Sequence, residues 1–239
     1  MNEELFSRTG RVTLELSNRC NYVGRHKECP ASTFKDVRIL PLDVIKHVVL
    51  DLQEAGWGDG KYMAFHVFNE PGIDPRLYWL IEYVTKELSG VKPILITNGW
   101  YLNETLAEEL LDAGLHSLVV SGYTRSERHR LRGVNKLPGA KVEKAQLKQS
   151  ILTPGDGPDS YRDCHAPLND LTIRASGNVG LCCIDHAETV VFGNVLEESL
   201  TSILRREWER MRDLQFALIR RVRTLPVCKT CWRRRKKFK

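Results

Sequence analysis

The chain has 239 residues, of which 42% are hydrophobic and 28% charged, and its formal net charge is +6. This composition is that of a soluble globular protein with one large domain, or with one domain and a small additional one. It argues against a membrane-spanning protein, because the longest apolar runs, such as 117–121, are far too short to cross a bilayer.

The chemical state expected for the cysteines depends on the compartment in which the protein is found. No charged-then-apolar leader precedes Val12, so the sequence predicts a cytoplasmic protein. The cytosol is reducing, and we therefore expect the seven cysteines to be metal ligands or reactive thiols rather than disulfides.

Much of the positive charge lies in two segments, 205–223 and the tail 233–237. A basic tail can bind nucleic acid or an acidic partner. No interleaved aromatic residues for base stacking accompany this one, so we favour a solvated end and do not predict nucleic-acid binding.

The first part of the chain alternates strand and helix patterns. Residues 12–17 alternate apolar and polar side chains, which predicts a strand, and the long loop 18–38 that follows is of the kind that carries function. Further strands are predicted at 62–68, 93–97 and 115–120, and helices at 42–52, 77–88, 104–113 and 125–132. Such alternation predicts an α/β fold with a parallel sheet, whose sites lie at the carboxyl edge of the strands.

The alternation stops in the segment 135–162, which is rich in proline and glycine. Within it, the charged stretch 141–149 could be a helix or a fifth strand–helix unit. We predict two domains, 1–160 and 161–239. The second should contain short strands with a turn at 176–178 and one amphipathic helix at 200–218.

A group of cysteines near the C-terminus has the spacing of a metal site. Cys228 and Cys231 place two thiolates on one tight turn, as zinc and iron–sulfur sites do. Cys164 and Cys182 are the candidates to complete a four-thiolate site. Cys183 neighbours Cys182, and adjacent residues on a strand point to opposite faces, so only one of the two can easily join.

The loop after the first strand carries a second group, Cys20, His26 and Cys29, spaced C-x5-H-x2-C. Three ligands with a fourth position open would let a metal bind a substrate or cofactor directly. A partial zinc site, with His26 on the surface, is the alternative.

Four motifs in this order resemble the radical S-adenosylmethionine (SAM) enzymes that carry a SPASM or twitch auxiliary-cluster domain. Residues 14–21, Leu-Glu-Leu-Ser-Asn-Arg-Cys-Asn, are similar to that family's first strand and the start of its cluster loop. Asn69-Glu70-Pro71 and 96–99, Ile-Thr-Asn-Gly, resemble its second- and third-strand motifs. The segment 164–231 resembles the auxiliary-cluster domain. The resemblance implies a partial (β/α) barrel with a small C-terminal α+β twitch domain.

The resemblance implies SAM and two 4Fe–4S clusters as cofactors. The auxiliary cluster would be held by Cys164, Cys182, Cys228 and Cys231. The family's cluster loop reads C-x3-C-x2-C, whereas here a histidine takes the place of the middle cysteine and two residues are inserted. Imidazole can ligate iron, so we expect Cys20, His26 and Cys29 to hold the first cluster. The alternatives are a loop without a standard cluster, or a third ligand from outside.

The resemblance also implies a SAM pocket and a reaction. Glu70 would bind the SAM amino group through a charge-assisted hydrogen bond. The other expected SAM contacts are Tyr22, Asn69, Pro71, Thr97, Asn98 and Ser121. Reductive cleavage of SAM would give a 5′-deoxyadenosyl radical that abstracts a substrate hydrogen, and the auxiliary cluster could then accept an electron, making the reaction an oxidation.

Two further residues are candidates for catalysis. Cys183 could donate a hydrogen atom, which would make the enzyme an epimerase, or it could be a buried structural thiol. Asp185 could accept a proton or bind substrate, or it could cap a turn.

The expected substrate is a small molecule (a sugar, cyclitol or nucleoside) or a peptide in a biosynthetic pathway. The expected electron donor is a flavodoxin or ferredoxin, and the expected state is a monomer. A non-catalytic iron–sulfur or zinc protein that kept the fold and a nucleic-acid-binding module are the alternative hypotheses.

Overall fold

The structure is a computed structural model, which describes residues 2–25, 29–145, 164, 166–220, 222 and 224–231. The strands are β1 Arg11–Leu14, β2 Tyr62–Ala64, β3 Lys92–Thr97, β4 Ser117–Gly122, β5 Ala140–Lys144, β6 Asp170–Ile173, β7 Asn178–Gly180 and β8 Val191–Asn194. The helices are α1 Asn2–Ser7, α2 Leu42–Glu54, α3 Leu77–Glu87, α4 Glu104–Asp112, α5 Arg125–Arg130, α6 Leu200–Ile219 and α7 Pro226–Thr230.

The strands form one open eight-stranded sheet in the order β5-β4-β3-β2-β1-β6-β7-β8. The strands from β5 to β6 are parallel, whereas β7 and β8 pair antiparallel. This confirms the predicted α/β class, and the open sheet agrees with a partial barrel. Because β6 pairs with β1 from Arg11↔Asp170 to Leu14↔Ile173, the C-terminal segment extends the same sheet.

Residue alternation along β1 separates the two faces of this sheet. Val12, Leu14 and Leu16 are fully buried in the core, where they join the apolar faces of α2 and α3. Thr13 and Glu15 therefore lie on the opposite face, turned away from these helices. The long apolar core fixes the sheet, and the polar face above it is available for function.

The charged stretch 141–149 begins as a strand, because β5 pairs with β4 from Leu118↔Ala140 to Gly122↔Lys144. The predicted strand 62–68 is shorter than expected. Its last backbone N–H groups are bound by side chains instead of a neighbouring strand: Asn69 Oδ1 accepts from Val67 N at 2.9 Å, and Glu15 Oε1 from Phe68 N at 3.0 Å. Helix α1, which buries Phe6, has no counterpart in the sequence analysis.

None of the helices in the described part of the chain combines the length and the apolar character needed to span a membrane.

Candidate functional site

Glu70 is a buried carboxylate at the carboxyl edge of the parallel strands. The Thr97 hydroxyl donates to its Oε1, as does Gly72 N at 2.9 Å, while Asn98 N donates to Oε2 at 2.6 Å. Burial is the main effect on Glu70 and raises its pKa, and these hydrogen bonds oppose that shift. The motifs that follow β2 and β3 thus meet at one carboxylate.

Two glycines make this approach possible. A Cβ on Gly72 would lie 2.9 Å from Glu70 Oε1, so a side chain there would displace the carboxylate. Gly99 has φ of 68°, a left-handed conformation, and a Cβ there would overlap the Val120 side chain. Both glycines are therefore required by the turns that present Glu70 and Asn98.

The cysteine loop after β1 is hydrogen-bonded to the two motifs that meet at this carboxylate. Glu70 N donates to Arg19 O at 2.8 Å, and Asn98 Nδ2 donates to Asn21 Oδ1 at 2.7 Å. Cys20 therefore lies beside the Glu70 motif. A cleft of about 480 Å³ opens here, lined by Arg19, Cys20, Asn21, Gly72, Ile73 and Tyr101.

The two described cysteines of this loop are half-buried. Burial raises the pKa of Cys20 to about 11 and also raises the pKa of Cys29. Thiols of this kind become thiolates when a metal replaces the proton, which is the chemistry that an iron–sulfur cluster supplies. His26 lies outside the described residues, so its role as a ligand stays a prediction.

Tyr22 connects the cysteine loop to α5. Its hydroxyl donates to Glu127 Oε1 at 2.7 Å, and its ring packs edge-on against Trp100, with centroids 6.1 Å apart. Glu127 also forms a capping box with Thr124 at the start of α5. Burial raises the pKa of Tyr22, so this phenol is a hydrogen-bond donor at neutral pH.

The remaining expected SAM contacts lie at the same edge. Asn69 has a local structural function, since its side chain accepts from Val67 N at 2.9 Å and donates to Phe65 O at 3.1 Å. Pro71 is buried and begins a 3-10 turn, Pro71–Ile73. Ser121 is at the end of β4, where it hydrogen-bonds the Tyr123 side chain. Contact of any of these residues with SAM stays a prediction.

Four cysteines from three segments of the chain line one small apolar cavity. They are Cys164, Cys182, Cys228 and Cys231, and the other lining residues are Ala166, Leu181, Ile184, Leu218 and Val227. Burial strongly raises the pKa of Cys182. In the part of the chain that the structure describes, no three His, Cys, Asp or Glu side chains are arranged to hold a single metal ion. Four thiols in apolar surroundings are the ligand set that a 4Fe–4S cluster takes, so the chemistry of this lining fits such a cluster.

Cys183 and Asp185 come shortly after Cys182 in the chain. Cys183 is half-buried and is not among the residues that line the cysteine cavity. The Asp185 carboxylate is buried and accepts from Thr189 N at 3.0 Å, Thr189 Oγ1 at 2.8 Å and Val190 N at 3.0 Å. These bonds favour the turn-capping alternative for Asp185, and the catalytic roles of both residues stay predictions.

A buried ion pair that the sequence analysis missed connects the two cysteine-bearing parts. Arg174 Nε donates to Glu15 Oε2 at 2.8 Å, and both side chains are 2% exposed. The same carboxylate accepts from Phe68 N at 3.0 Å and Ala175 N at 3.1 Å. The available signal was a glutamate between two leucines of the first predicted strand, in the pattern Leu14-Glu15-Leu16.

Comparisons with known proteins agree with this arrangement. The family model of the SPASM iron–sulfur cluster-binding domain matches residues 164–232. An S-adenosyl-L-methionine-dependent 2-deoxy-scyllo-inosamine dehydrogenase from Niallia circulans is 26% identical over 213 residues, which is 84% of this chain and 83% of the relative.

Solved structures share the fold over nearly the whole chain. BtrN in complex with AdoMet and 2-DOIA is similar with a TM-score of 0.76 at 21% identity, covering 93% of this chain and 92% of that one. The structure of anSMEcpe with bound AdoMet has a TM-score of 0.51 at 11% identity, covering 93% of this chain and 84% of that one. The SPASM match, the related dehydrogenase and the motifs gathered around Glu70 together make this chain similar to the radical SAM enzymes that carry a C-terminal SPASM domain.

Proposed function

We propose that this protein is a radical SAM oxidoreductase that binds SAM between Glu70 and the Cys20–Cys29 loop and removes hydrogen from a small-molecule substrate. The observation that carries the proposal is the convergence on Glu70 of hydrogen bonds from Thr97, Asn98 and Gly72, directly beside Cys20. When bound and reduced, the first cluster would supply the electron that cleaves SAM to methionine and a 5′-deoxyadenosyl radical.

Glu70 would bind the ammonium group of SAM. Its carboxylate is buried and is hydrogen-bonded by neutral donors, so its negative charge lacks a cationic partner among the described residues. A charge-assisted hydrogen bond from an ammonium would be strong in such a site. Thr97 and Asn98 would fix the orientation of the carboxylate, because each is bonded to a different oxygen.

Cys20, His26 and Cys29 would hold the first 4Fe–4S cluster, and the four-cysteine cavity would hold a second. The second cluster would accept the electron left on the substrate, so that the net reaction is a two-electron oxidation with loss of a proton. We propose a flavodoxin or ferredoxin as electron donor and the cytoplasm as location. The relative's name supports a polyhydroxylated substrate such as a cyclitol or sugar.

Anaerobic purification and reconstitution test this proposal. About eight irons and eight sulfides per chain, and release of 5′-deoxyadenosine on reduction with SAM, are expected. About four irons without SAM cleavage would instead favour a non-catalytic protein, which the altered cysteine loop makes a second candidate. Stoichiometric zinc without iron would contradict the proposed enzyme and would point to a zinc-binding protein.

The His26→Ala variant tests the third ligand. We expect it to lose SAM cleavage and about half of the iron, because the auxiliary cysteines remain. Full iron content with unchanged 5′-deoxyadenosine release would show that His26 is not a ligand.

A further inference from the structure

A second cleft lies between the loop that follows the first cysteine group and the hairpin of the SPASM segment. Its volume is about 530 Å³, within the range of small-molecule sites. Thr33 and His186, on its two walls, each come four residues after a cysteine, Cys29 and Cys182 respectively. A molecule in this cleft would thus contact segments that belong to both cysteine groups.

The residues that line this cleft carry equal numbers of negative and positive charges. Its lining includes three carboxylates, Glu15, Asp36 and Glu188, and three cations, Lys35, Arg38 and Arg174. An ionic ligand would leave unmatched charge in such a site, whereas hydroxyl groups can both accept from the cations and donate to the carboxylates. Phe34 contributes apolar surface. These properties match an uncharged, polyhydroxylated ring.

The Glu188 carboxylate in this cleft is held in place through one of its oxygens, while the other oxygen can still accept hydrogen bonds from a ligand. Its Oε2 accepts from Ser176 Oγ at 2.6 Å and from Asn178 Nδ2. Its Oε1 has the Arg38 guanidinium at 3.9 Å, beyond hydrogen-bond distance. Glu15 differs, because both of its oxygens are engaged inside the protein.

The backbone of Glu188 is a second, independent observation. Of the non-glycine residues that the structure describes, Glu188 alone has a positive φ, at 51°. This left-handed conformation is unfavourable for a residue with a Cβ and persists where the surroundings impose it, often at ligand sites. The strain and the two hydrogen bonds together hold the carboxylate toward the cleft.

We propose that this cleft is the substrate site, that it takes an uncharged polyhydroxylated ring, and that Glu188 selects the substrate by accepting hydrogen bonds from its hydroxyl groups. This inference rests on the proposed function, because it assumes that the protein is an enzyme with a small-molecule substrate. The binding itself can be measured without any reaction.

The test is saturation-transfer difference NMR on the anaerobic holoenzyme without reductant. The probes are scyllo-inositol, which is neutral, and an inositol monophosphate, which is anionic. We expect scyllo-inositol to bind the wild-type protein, and Glu188→Gln to weaken that binding about ten-fold, since one acceptor is replaced by a donor. Glu197→Gln, which changes an exposed glutamate in the same domain, should bind like the wild type.

Arg38→Met provides a second variant, because this side chain is 52% exposed and lines the opposite wall of the cleft. It should weaken scyllo-inositol binding several-fold by removing a donor from the opposite wall. Tighter binding of the phosphate than of scyllo-inositol, or equal binding by Glu188→Gln and Glu197→Gln, would overturn the proposal. A protein that cleaves SAM but does not bind scyllo-inositol would retain the proposed function and refute this inference.

Discussion

At the scale of single residues, the ion pair between Glu15 and Arg174 is the main structural connection beneath the site. Removing two charges from water is costly, and a buried pair is tolerated where further hydrogen bonds satisfy it. Here Phe68 N and Ala175 N complete the carboxylate, and Arg174 also lies over the Phe68 ring, 5.0 Å from its centroid. The pair thus holds together the segments that follow β1, β2 and β6.

Arg174→Met should reduce the free energy of unfolding by about 3–5 kcal/mol, because it leaves the Glu15 carboxylate buried without a cation. Urea denaturation of the anaerobic protein measures this change. Arg212→Met, which removes a partly exposed arginine paired with Asp213, is the matched control and should change stability by less than about 1 kcal/mol. Equal midpoints for the two variants would contradict the assigned role of the pair.

The residues around Glu70 could be predicted from the sequence, whereas this ion pair could not. Glu70, Thr97 and Asn98 lie in short motifs whose order resembles a known family, and the structure brings them within hydrogen-bond distance. Glu15 and Arg174 are 159 positions apart. Alternation along a strand indicates which face a side chain takes but does not name its partner on another strand.

At the scale of elements, the site depends on the turns that follow β2 and β3. Strand periodicity predicted both strands but extended the first to residue 68, because periodicity cannot tell a ladder hydrogen bond from one made to a side chain. The observed β2 ends at Ala64, and residues 65–70 form the turn that carries Glu70. The candidate functional residue therefore lies in the turn after β2 and not in the strand itself.

Glu70→Gln tests this turn. The variant has no negative charge to bind the SAM ammonium group, and its amide NH2 would face the backbone N–H donors of Gly72 or Asn98. SAM affinity should therefore fall roughly 10- to 100-fold. Equilibrium dialysis of SAM against the anaerobic protein measures this affinity, and iron content should not change. Glu54→Gln, at an exposed position of α2, should bind SAM normally. Unchanged affinity of Glu70→Gln would remove Glu70 from the SAM site.

At the scale of the whole molecule, one sheet carries both cysteine groups. The loop with Cys20 and Cys29 follows β1, and Cys182 follows β7, which is joined to β1 through β6. The end of the strand–helix alternation predicted a second domain from residue 161. Composition alone could not indicate that the first strand of this segment, β6, would pair with β1. The two groups therefore belong to one continuous framework.

Cys182 and Cys183 offer a matched pair of variants for testing how this framework divides the iron. Only Cys182 of the two lines the four-cysteine cavity. Cys182→Ser should therefore lose about half of the iron, since a serine hydroxyl is a poor replacement for a thiolate ligand. Cys183→Ser should keep about eight irons per chain.

The catalytic readouts separate the two sites further. Because Glu70 and Cys20 lie together and neither lines the four-cysteine cavity, Cys182→Ser should still release 5′-deoxyadenosine on reduction with SAM. It should fail to form oxidised product, since the second electron would have no acceptor. Cys183→Ser should oxidise substrate normally. If the wild type instead formed an inverted, unoxidised product, and Cys183→Ser alone lost that product while keeping its iron, Cys183 would be the hydrogen-atom donor of an epimerase. Equal iron loss in the two variants would contradict the assignment of the cavity as the auxiliary-cluster site.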